Sequence, residues 1–184
     1  AARLANGWTR SRHHISHIQL IHPDDVPRFR RLGVAANAQA LWAQDGVDQA
    51  ELTRPFLGAE RSTWQYPFAS LLRAGATLAM GSDWSVSTAD VMDQIDTAVT
   101  RLNHDEPDLP PLNANERISL LDGLAGFTAG SAFVNHRDDV SGTLALGMLA
   151  DLAVLDRDPL ASGPIRETSV AMTVVAGRVV YEED

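Results

Sequence analysis

The chain has 184 residues, with 24 acidic and 15 basic side chains and a formal net charge of −9. This length accommodates one domain, or one domain with a small appendage, around a sizeable core. The negative charge argues against binding to a nucleic-acid backbone, and the absence of cysteine excludes disulfides and thiolate metal sites.

The distribution of apolar residues along the chain does not indicate a membrane protein. No apolar stretch approaches the roughly 18 residues that a membrane span requires, and the amino terminus lacks the pattern of a signal peptide. We therefore expect a soluble protein, with the cytoplasm as the default compartment. The sequence begins at Ala1 rather than at a methionine, which suggests a piece of a longer protein, although processing or trimming of the amino terminus would look the same.

Three strand patterns occur in the first hundred residues, and each is followed by a helix pattern. The strands are predicted at residues 12–19, 34–41 and 77–80, and the helices at residues 23–32, 67–75 and 91–102. Such alternation favours parallel pairing and an α/β fold. Residues 44–65 form a long polar segment, which predicts either a functional loop or minor helices of its own.

The last third of the chain has a different pattern. Asn113 and Glu116 have the spacing of a capping box, before a helix that continues to Ala132. Short strands are then predicted at residues 152–155, 171–175 and 178–181, the last two joined by a tight hairpin at Ala176 and Gly177. We place a domain boundary here, between residues 1–140 and residues 141–184.

Asp83 lies where the third strand ends, in Thr77-Leu78-Ala79-Met80-Gly81-Ser82-Asp83-Trp84. Ligand sites of parallel α/β folds occur where strands end and helices begin. One interpretation is therefore a rigidly held carboxylate that transfers a proton or binds a metal. The other is that Asp83 only caps the next helix or closes a turn.

His17 ends the first predicted strand and would lie at the same edge of the sheet as Asp83. Imidazole is the commonest zinc ligand, although a lone histidine at a strand end is more often a hydrogen-bonded structural residue. Both interpretations stay open from these residues alone.

Three stretches of the sequence resemble the amidohydrolase superfamily, the metal-dependent (β/α)8-barrel hydrolases, and in particular the branch of N-substituted formamide deformylase-like enzymes. Gly81-Ser82-Asp83-Trp84 resembles the end of the eighth barrel strand, and residues 12–19 resemble the sixth-strand motif. Residues 142–156 are similar to the signature of the small β-sandwich that flanks the barrel.

The resemblance implies a particular fold. The chain would be α/β and would contain the last three β/α units of a (β/α)8 (TIM) barrel plus the C-terminal strands of the small β-sandwich. Asp151 and Asp156, within the sandwich signature, would then be turn and backbone partners rather than catalytic groups.

The resemblance also implies a site. Asp83 would be the catalytic carboxylate and a metal residue, His17 a metal residue, and Gln39 and Trp84 substrate-binding residues. The cofactor would be a divalent metal, with zinc as the expected ion, as one or two ions in the full protein. The site would be incomplete in this chain, because the family's His-x-His pair and the ligands of its fourth and fifth strands are missing.

The implied reaction is metal-assisted hydrolysis of an amide-type, non-peptide C–N bond, with the isolated chain inactive. The expected partners are a small-molecule substrate, the missing N-terminal half of the barrel, and a second copy of the chain bound through open sheet edges. Partial disorder in residues 1–11 and 44–65 is the alternative to such a homodimer. A non-catalytic binding or regulatory module on the same half-barrel is the rival function.

Overall fold

The computed structural model of the chain describes residues 5–7, 10–161 and 163–183. It contains two three-stranded sheets. The first is parallel, in the order β1 (His14–Ser16), β2 (Ala35–Ala38) and β3 (Leu78–Met80). The second is antiparallel, in the order β4 (Leu152–Leu155), β5 (Val170–Val175) and β6 (Arg178–Glu182).

Helices separate the strands of the first sheet and follow its last strand. The α-helices are α1 (Val26–Leu32), α2 (Arg54–Ser62), α3 (Phe68–Arg73), α4 (Val91–Thr100), α5 (Leu120–Ala125) and α6 (Ser131–Val134). Two π-helical segments, Asp48–Thr53 and Gly126–Gly130, precede α2 and join α5 to α6. The 3₁₀ turns are Pro23–Asp25, Ala40–Trp42, Ala114–Glu116 and Ile165–Glu167.

The predicted alternation and the parallel pairing are confirmed, and the helix ends have local physical causes. Gly33 ends α1 with a left-handed φ of 64°, a conformation that costs glycine least. Asp90 begins α4, because its side chain accepts hydrogen bonds from the backbone N–H groups of Met92 and Asp93. Residue 36 of β2 lies opposite Leu78 of β3, which fixes the register of the two strands.

The core lies between the parallel sheet and its helices. Small side chains fill β2, where Ala36 and Ala38 are fully buried, and this lets Phe68 and Leu71 of α3 lie in the same cluster. Strand β1 differs, since all three of its residues are exposed. Its outer edge is therefore open within the described part of the chain.

Helix α5, the π-helical turn and α6 approach β3 and α4 through glycines. A Cβ atom on Gly130 would lie 2.2 Å from the carbonyl oxygen of Leu78, and one on Gly126 would lie 2.7 Å from Cγ of Met80. A Cβ atom on Gly123 would lie 2.9 Å from Cγ2 of Ile95. The missing side chains therefore set how closely this helical segment packs.

Two sequence expectations need correction. The capping box at Asn113 and Glu116 is wrong: Asn113 has a φ of 46° and makes no capping hydrogen bond. Its amide instead donates to the carbonyl oxygens of Ser62 and Gln65. The true capping box is formed by Ser119 and Asp122 at the start of α5.

The strand lengths and the central segment also differ from the expectation. Strands β1 and β2 end earlier than predicted. His17 adopts a left-handed φ of 66° directly after β1, and the turn Ala40–Trp42 begins two residues after the end of β2. Residues 44–65 contain helices of their own, which was the second of the two expected outcomes. Most of residues 1–11, where disorder was the alternative expectation, lie outside the described residues.

The second sheet is held by backbone hydrogen bonds and by the two predicted carboxylates. Ala176 and Gly177 have φ values of 50° and 77°, which matches the twist of a two-residue hairpin. Oδ1 of Asp151 accepts from the N–H of Ala176 at 2.8 Å, and Oδ1 of Asp156 accepts from the N–H of Ser169 at 2.9 Å. The backbone roles expected for both carboxylates are confirmed.

The boundary between residues 140 and 141 stays a prediction, although the two sheets fall on either side of it. Within residues 5–7, 10–161 and 163–183, no helix combines the length and the apolar character needed to cross a bilayer.

Candidate active site at the carboxyl ends of the parallel strands

The parallel sheet brings three of the predicted site residues to one edge. His17 directly follows β1, Gln39 directly follows β2, and Asp83 comes three residues after the end of β3. Because the strands are parallel, their carboxyl ends lie at the same edge.

His17 and Asp83 face each other across this edge. Nε2 of His17 lies 3.9 Å from Oδ1 of Asp83, and the two side chains are 47% and 26% exposed. The two side chains are therefore close enough to contact the same ligand atom, and exposed enough for a ligand to reach them.

The backbone around this pair is strained. His17, Ile18 and Asp83 have φ values of 66°, 54° and 63°, in the left-handed region that non-glycine residues seldom adopt. Such conformations cost on the order of 1–3 kcal/mol each and persist only where the surrounding structure holds them. Strain of this kind clusters at functional sites, which makes it an observation in favour of a site here.

Gln39 holds the backbone of His17. Its Oε1 accepts a hydrogen bond from the N–H of His17 at 2.6 Å, and its Nε2 donates to Oδ1 of Asn37 at 3.1 Å. The side chain is buried, and both ends of its amide are used within the chain. In this geometry Gln39 positions His17, and its expected contact with substrate stays a prediction.

Gln94, on the buried face of α4, connects two of the strand ends and was missed from the sequence. Its Nε2 donates to the carbonyl oxygen of Ser82 at 3.2 Å, while its Oε1 accepts from the N–H of Leu41 at 3.1 Å. The turn that carries Asp83 is thereby fixed to the segment after β2. The only signal in the sequence is a glutamine on a helix face that is otherwise apolar.

A cavity of about 350 Å³ opens beside His17 and Asp83. Its wall comes from the strand ends, the segment after β2 and the loop after α4. The lining residues are His17, Gln19, Leu41, Trp42, Gln44, Asp45, Gly46, Val47, Asp48, Gln49, Thr53, Tyr66, Asp83, Asn103 and Glu106. Trp84 is 72% exposed and is not among them, so its expected role in substrate binding stays a prediction.

An ion pair shapes the wall after β2. Both carboxylate oxygens of Asp45 accept from the guanidinium of Arg54, at 2.7 and 2.8 Å, and the side chain of Asp45 is buried. The carbonyl oxygen of Asp45 accepts from Nδ2 of Asn103 at 2.8 Å, which ties this wall to the loop after α4. Sequence reasoning did not identify these residues, because periodicity carries no signal in this segment.

Tyr66 contributes a neutral phenol to the cavity. Burial raises the pKa of Tyr66 to about 12, with Arg101 acting in the opposite direction and the nearby charge of Asp48 adding to the rise. The hydroxyl therefore stays protonated near neutral pH and can donate a hydrogen bond to a ligand.

The His17–Asp83 pair fits part of a metal site. Two donors on one tetrahedral zinc ion lie about 3.4 Å apart. The observed 3.9 Å between Nε2 of His17 and Oδ1 of Asp83 needs only a small side-chain movement to reach that separation. Imidazole nitrogen and carboxylate oxygen are also ordinary zinc ligands. No group of three or more histidine, cysteine, aspartate or glutamate side chains suited to a metal occurs among the residues that the structure describes.

Comparison with known proteins gives a consistent result. The sequence model of the amidohydrolase family matches residues 1–181. The chain is 34% identical over 181 residues to Protein LONG AFTER FAR-RED 3 of Arabidopsis thaliana, covering 96% of this chain and 30% of that protein. It is 33% identical over 119 residues to the N-substituted formamide deformylase of Arthrobacter pascens, covering 64% of this chain and 21% of that protein.

A solved structure matches as well. An uncharacterized metal-dependent hydrolase from Pyrococcus horikoshii OT3 superposes with a TM-score of 0.72 and 29% sequence identity, over 85% of this chain and 31% of that one. The chain thus spans about a third or less of the length of these relatives.

Proposed function

The chain belongs to the amidohydrolase family, and from that premise we propose that it is part of a metal-dependent hydrolase that cleaves an amide-type C–N bond in a small molecule. One observation carries this proposal: Nε2 of His17 lies 3.9 Å from Oδ1 of Asp83, at the edge of the parallel sheet where the strands end. The formamide deformylase among the relatives gives the bond type, as a protein that acts on N-substituted formamides.

In the proposal, β1, β2 and β3 are the sixth, seventh and eighth strands of a (β/α)8 barrel, and β4–β6 are the C-terminal strands of the flanking β-sandwich. The sequence motifs at residues 12–19, 81–84 and 142–156 support this numbering. The exposed outer edge of β1 is then the place where the preceding barrel strand pairs.

Asp83 is the proposed proton carrier. It takes the proton of the attacking water as the water oxygen bonds the carbonyl carbon, and it returns that proton to the leaving nitrogen as the C–N bond breaks. His17 binds the metal or polarises the carbonyl, with Gln39 fixing its backbone. A divalent ion bound there would lower the pKa of its bound water to about 7 and so make hydroxide available at neutral pH.

Zinc is the proposed ion, and this chain holds only part of its site. A catalytic zinc usually has three protein ligands, while His17 and Asp83 are two. We therefore expect the purified chain to bind zinc no more tightly than a surface pair does, and to be inactive alone. Elemental analysis after desalting tests this, and one stoichiometric metal per chain in a monomer contradicts it.

The activity itself is tested with a protein expressed from the reading frame extended upstream of Ala1. We expect it to release formate from an N-substituted formamide, to lose activity with a chelator, and to regain it with zinc. Absence of hydrolysis for every amide in a broad panel, in metal-loaded protein, contradicts the proposal.

The rival function, a non-catalytic module, is distinguished more simply. An upstream segment that encodes a His-x-His strand supplies the missing metal ligands and favours the enzyme. An upstream segment without it favours the binding or regulatory module.

A further inference from the structure

The cavity beside His17 and Asp83 has an uneven charge distribution. Its lining includes four carboxylates, those of Asp45, Asp48, Asp83 and Glu106, but no arginine, and the chain contains no lysine at all. His17 is the only histidine, lysine or arginine among the residues that line the cavity. A ligand held here therefore meets a negative potential.

Not all four carboxylates are available to a ligand. Arg54 neutralises Asp45 through two hydrogen bonds, and Asp83 belongs to the proposed reaction. Asp48 and Glu106 remain: both are exposed, and neither forms an ion pair with any residue that the structure describes. Oε1 of Glu106 accepts a hydrogen bond from Nδ2 of Asn103 at 3.4 Å, which leaves its charge without a cationic partner.

Asp48 and Glu106 lie on two walls that meet at Gly46. Oε1 of Glu106 is 3.2 Å from the position that a Cβ atom of Gly46 would take, and Asp48 follows two residues later. The hydrogen bond from Asn103 to the carbonyl oxygen of Asp45 holds the two walls together. Asp48 and Glu106 thus both line the cavity, on the walls that meet at Gly46.

Other groups on the same wall favour a nitrogen cation. Trp42 is partly exposed and lines the cavity, and the face of an indole ring attracts cations. Gln49 is only 4% exposed, and its Oε1 has no hydrogen-bond partner among the described residues. A buried acceptor without a partner favours a ligand that brings an N–H donor.

From this arrangement we propose that the substrate carries a positively charged nitrogen group, an ammonium or a guanidinium, in addition to its amide-type bond, and that Asp48, Glu106 and Gln49 recognise it. The inference rests on the proposed function for the amide-type bond, since it specifies the substrate class of that same site. The recognition of the cation rests on the cavity wall alone.

Three formamides of similar length and different charge test the proposal. N-formylputrescine is cationic, N-formylpentylamine is neutral, and N-formylaminopentanoate is anionic. Binding of each to the purified chain is measured by calorimetry at low and at high salt. We expect the cation to bind about fivefold to tenfold tighter than the neutral compound at low salt, from the usual strength of exposed charge pairs and cation–π contacts. The preference should shrink at high salt.

Two variants locate the preference. Asp48→Asn combined with Glu106→Gln should reduce it to about twofold or less, because both free charges are removed. Glu60→Gln removes an exposed carboxylate of α2 that does not line the cavity, and it should leave the preference unchanged. Equal binding of the three compounds, no binding of any of them, or a preference that survives the double variant overturns the inference.

Hydrolysis by the upstream-extended protein separates this inference from the proposed function. Cleavage of all three formamides with equal kcat/KM keeps the proposed function and overturns the inference. Selective binding of the cationic compound without cleavage of any amide keeps the inference about charge and overturns the proposed function.

Discussion

The two sheets of this chain differ in how much of their surface the chain itself covers. In the parallel sheet, β3 is completely buried and β2 nearly so, under helices that come from the same segment of sequence. In the antiparallel sheet, every residue of β6 is exposed, including Val179, Val180 and Tyr181. The candidate active site therefore lies beside two strands that the chain's own helices cover, although β1, which leads to His17, is exposed. The second sheet keeps apolar side chains in solvent.

The difference shows what each region requires. Buried alanines in β2 allow close packing by helices, so the position of Gln39 and His17 is set from within the chain. The second sheet relies on its hairpin turn and on the carboxylates of Asp151 and Asp156. Exposed apolar faces of this kind mark surfaces that another segment or another chain covers.

The largest expected effect is on turnover, when the same substitution, aspartate to asparagine, is made once in each region. In the upstream-extended protein, Asp83→Asn should lower turnover by roughly 100-fold or more, because the proton carrier is lost. Asp151→Asn, the matched control, should leave turnover unchanged, since its carboxylate accepts from a hairpin amide. Near-normal turnover for Asp83→Asn, with an unaltered melting curve, would mean that Asp83 is only a turn residue.

Leucine truncation compares the two regions in stability. Leu71 is fully buried beneath the parallel sheet, and Leu71→Ala should lower the free energy of unfolding by about 2–5 kcal/mol. Leu144, in the C-terminal region, is 85% exposed, and Leu144→Ala should change it by no more than about 0.5 kcal/mol. Denaturant titration measures both. A large loss at Leu144 would show that this region is covered in solution, and the contrast between the regions would disappear.

The third comparison concerns which of the two sheets forms the interface of a homodimer. We expect a homodimer in light scattering, with an apolar interface above roughly 1,000 Å², because β1 leaves an open strand edge. Ile15→Lys places a charge on that edge and should give a monomer, whereas Val179→Lys, on β6, should not. A cooperative monomer of the unaltered chain contradicts the prediction, and the opposite result for the two variants would move the interface to the second sheet.

The smallest expected effect is a pH dependence of local stability in the second sheet, at Asp156 and Ser169. The N–H of Ser169, with help from Arg157, lowers the pKa of Asp156 below its usual value. A carboxylate with a lowered pKa in the folded state stabilises that state above its unfolded pKa, about 3.9, and this contribution is lost as the pH falls through the folded value.

Hydrogen exchange at the Ser169 amide measures this effect. Protection should be constant from neutral pH down to about 4 and should fall below it. Asp156→Asn should remove this acid dependence, and Asp139→Asn, a change to another exposed carboxylate, should retain it. An equal acid response in both variants would contradict the assignment.

Much of the fold followed from short-range signals that depend on a few residues. The helix end at Gly33, the cap at Asp90 and the hairpin at Ala176 and Gly177 all have local physical causes, and the predicted hairpin is confirmed. The capping box failed because Asn113 finds better acceptors about fifty residues earlier, at Ser62 and Gln65. A partner so distant in sequence leaves no trace in local spacing.

The candidate site divides in the same way. His17, Gln39 and Asp83 were found because parallel strands bring their ends to one edge, and Gly-Ser-Asp-Trp has a known family parallel. Gln94 and the wall that includes Asp45, Asp48 and Gln49 were not found, because their positions depend on tertiary contacts across the cavity. Long-range hydrogen bonds of this kind become visible only in the folded structure.

The glycines that allow residues 120–134 to pack closely against β3 and α4 also limit how this protein can be engineered. Replacement of a helical glycine by alanine is a common route to thermostability, since it raises helix propensity by up to about 1 kcal/mol per site. At Gly130 the added methyl group would instead collide with the backbone of β3, the strand that leads to Asp83. A stabilisation campaign guided by helix propensity alone would therefore displace the strand that carries the candidate catalytic carboxylate, and a library should keep Gly123, Gly126 and Gly130 fixed.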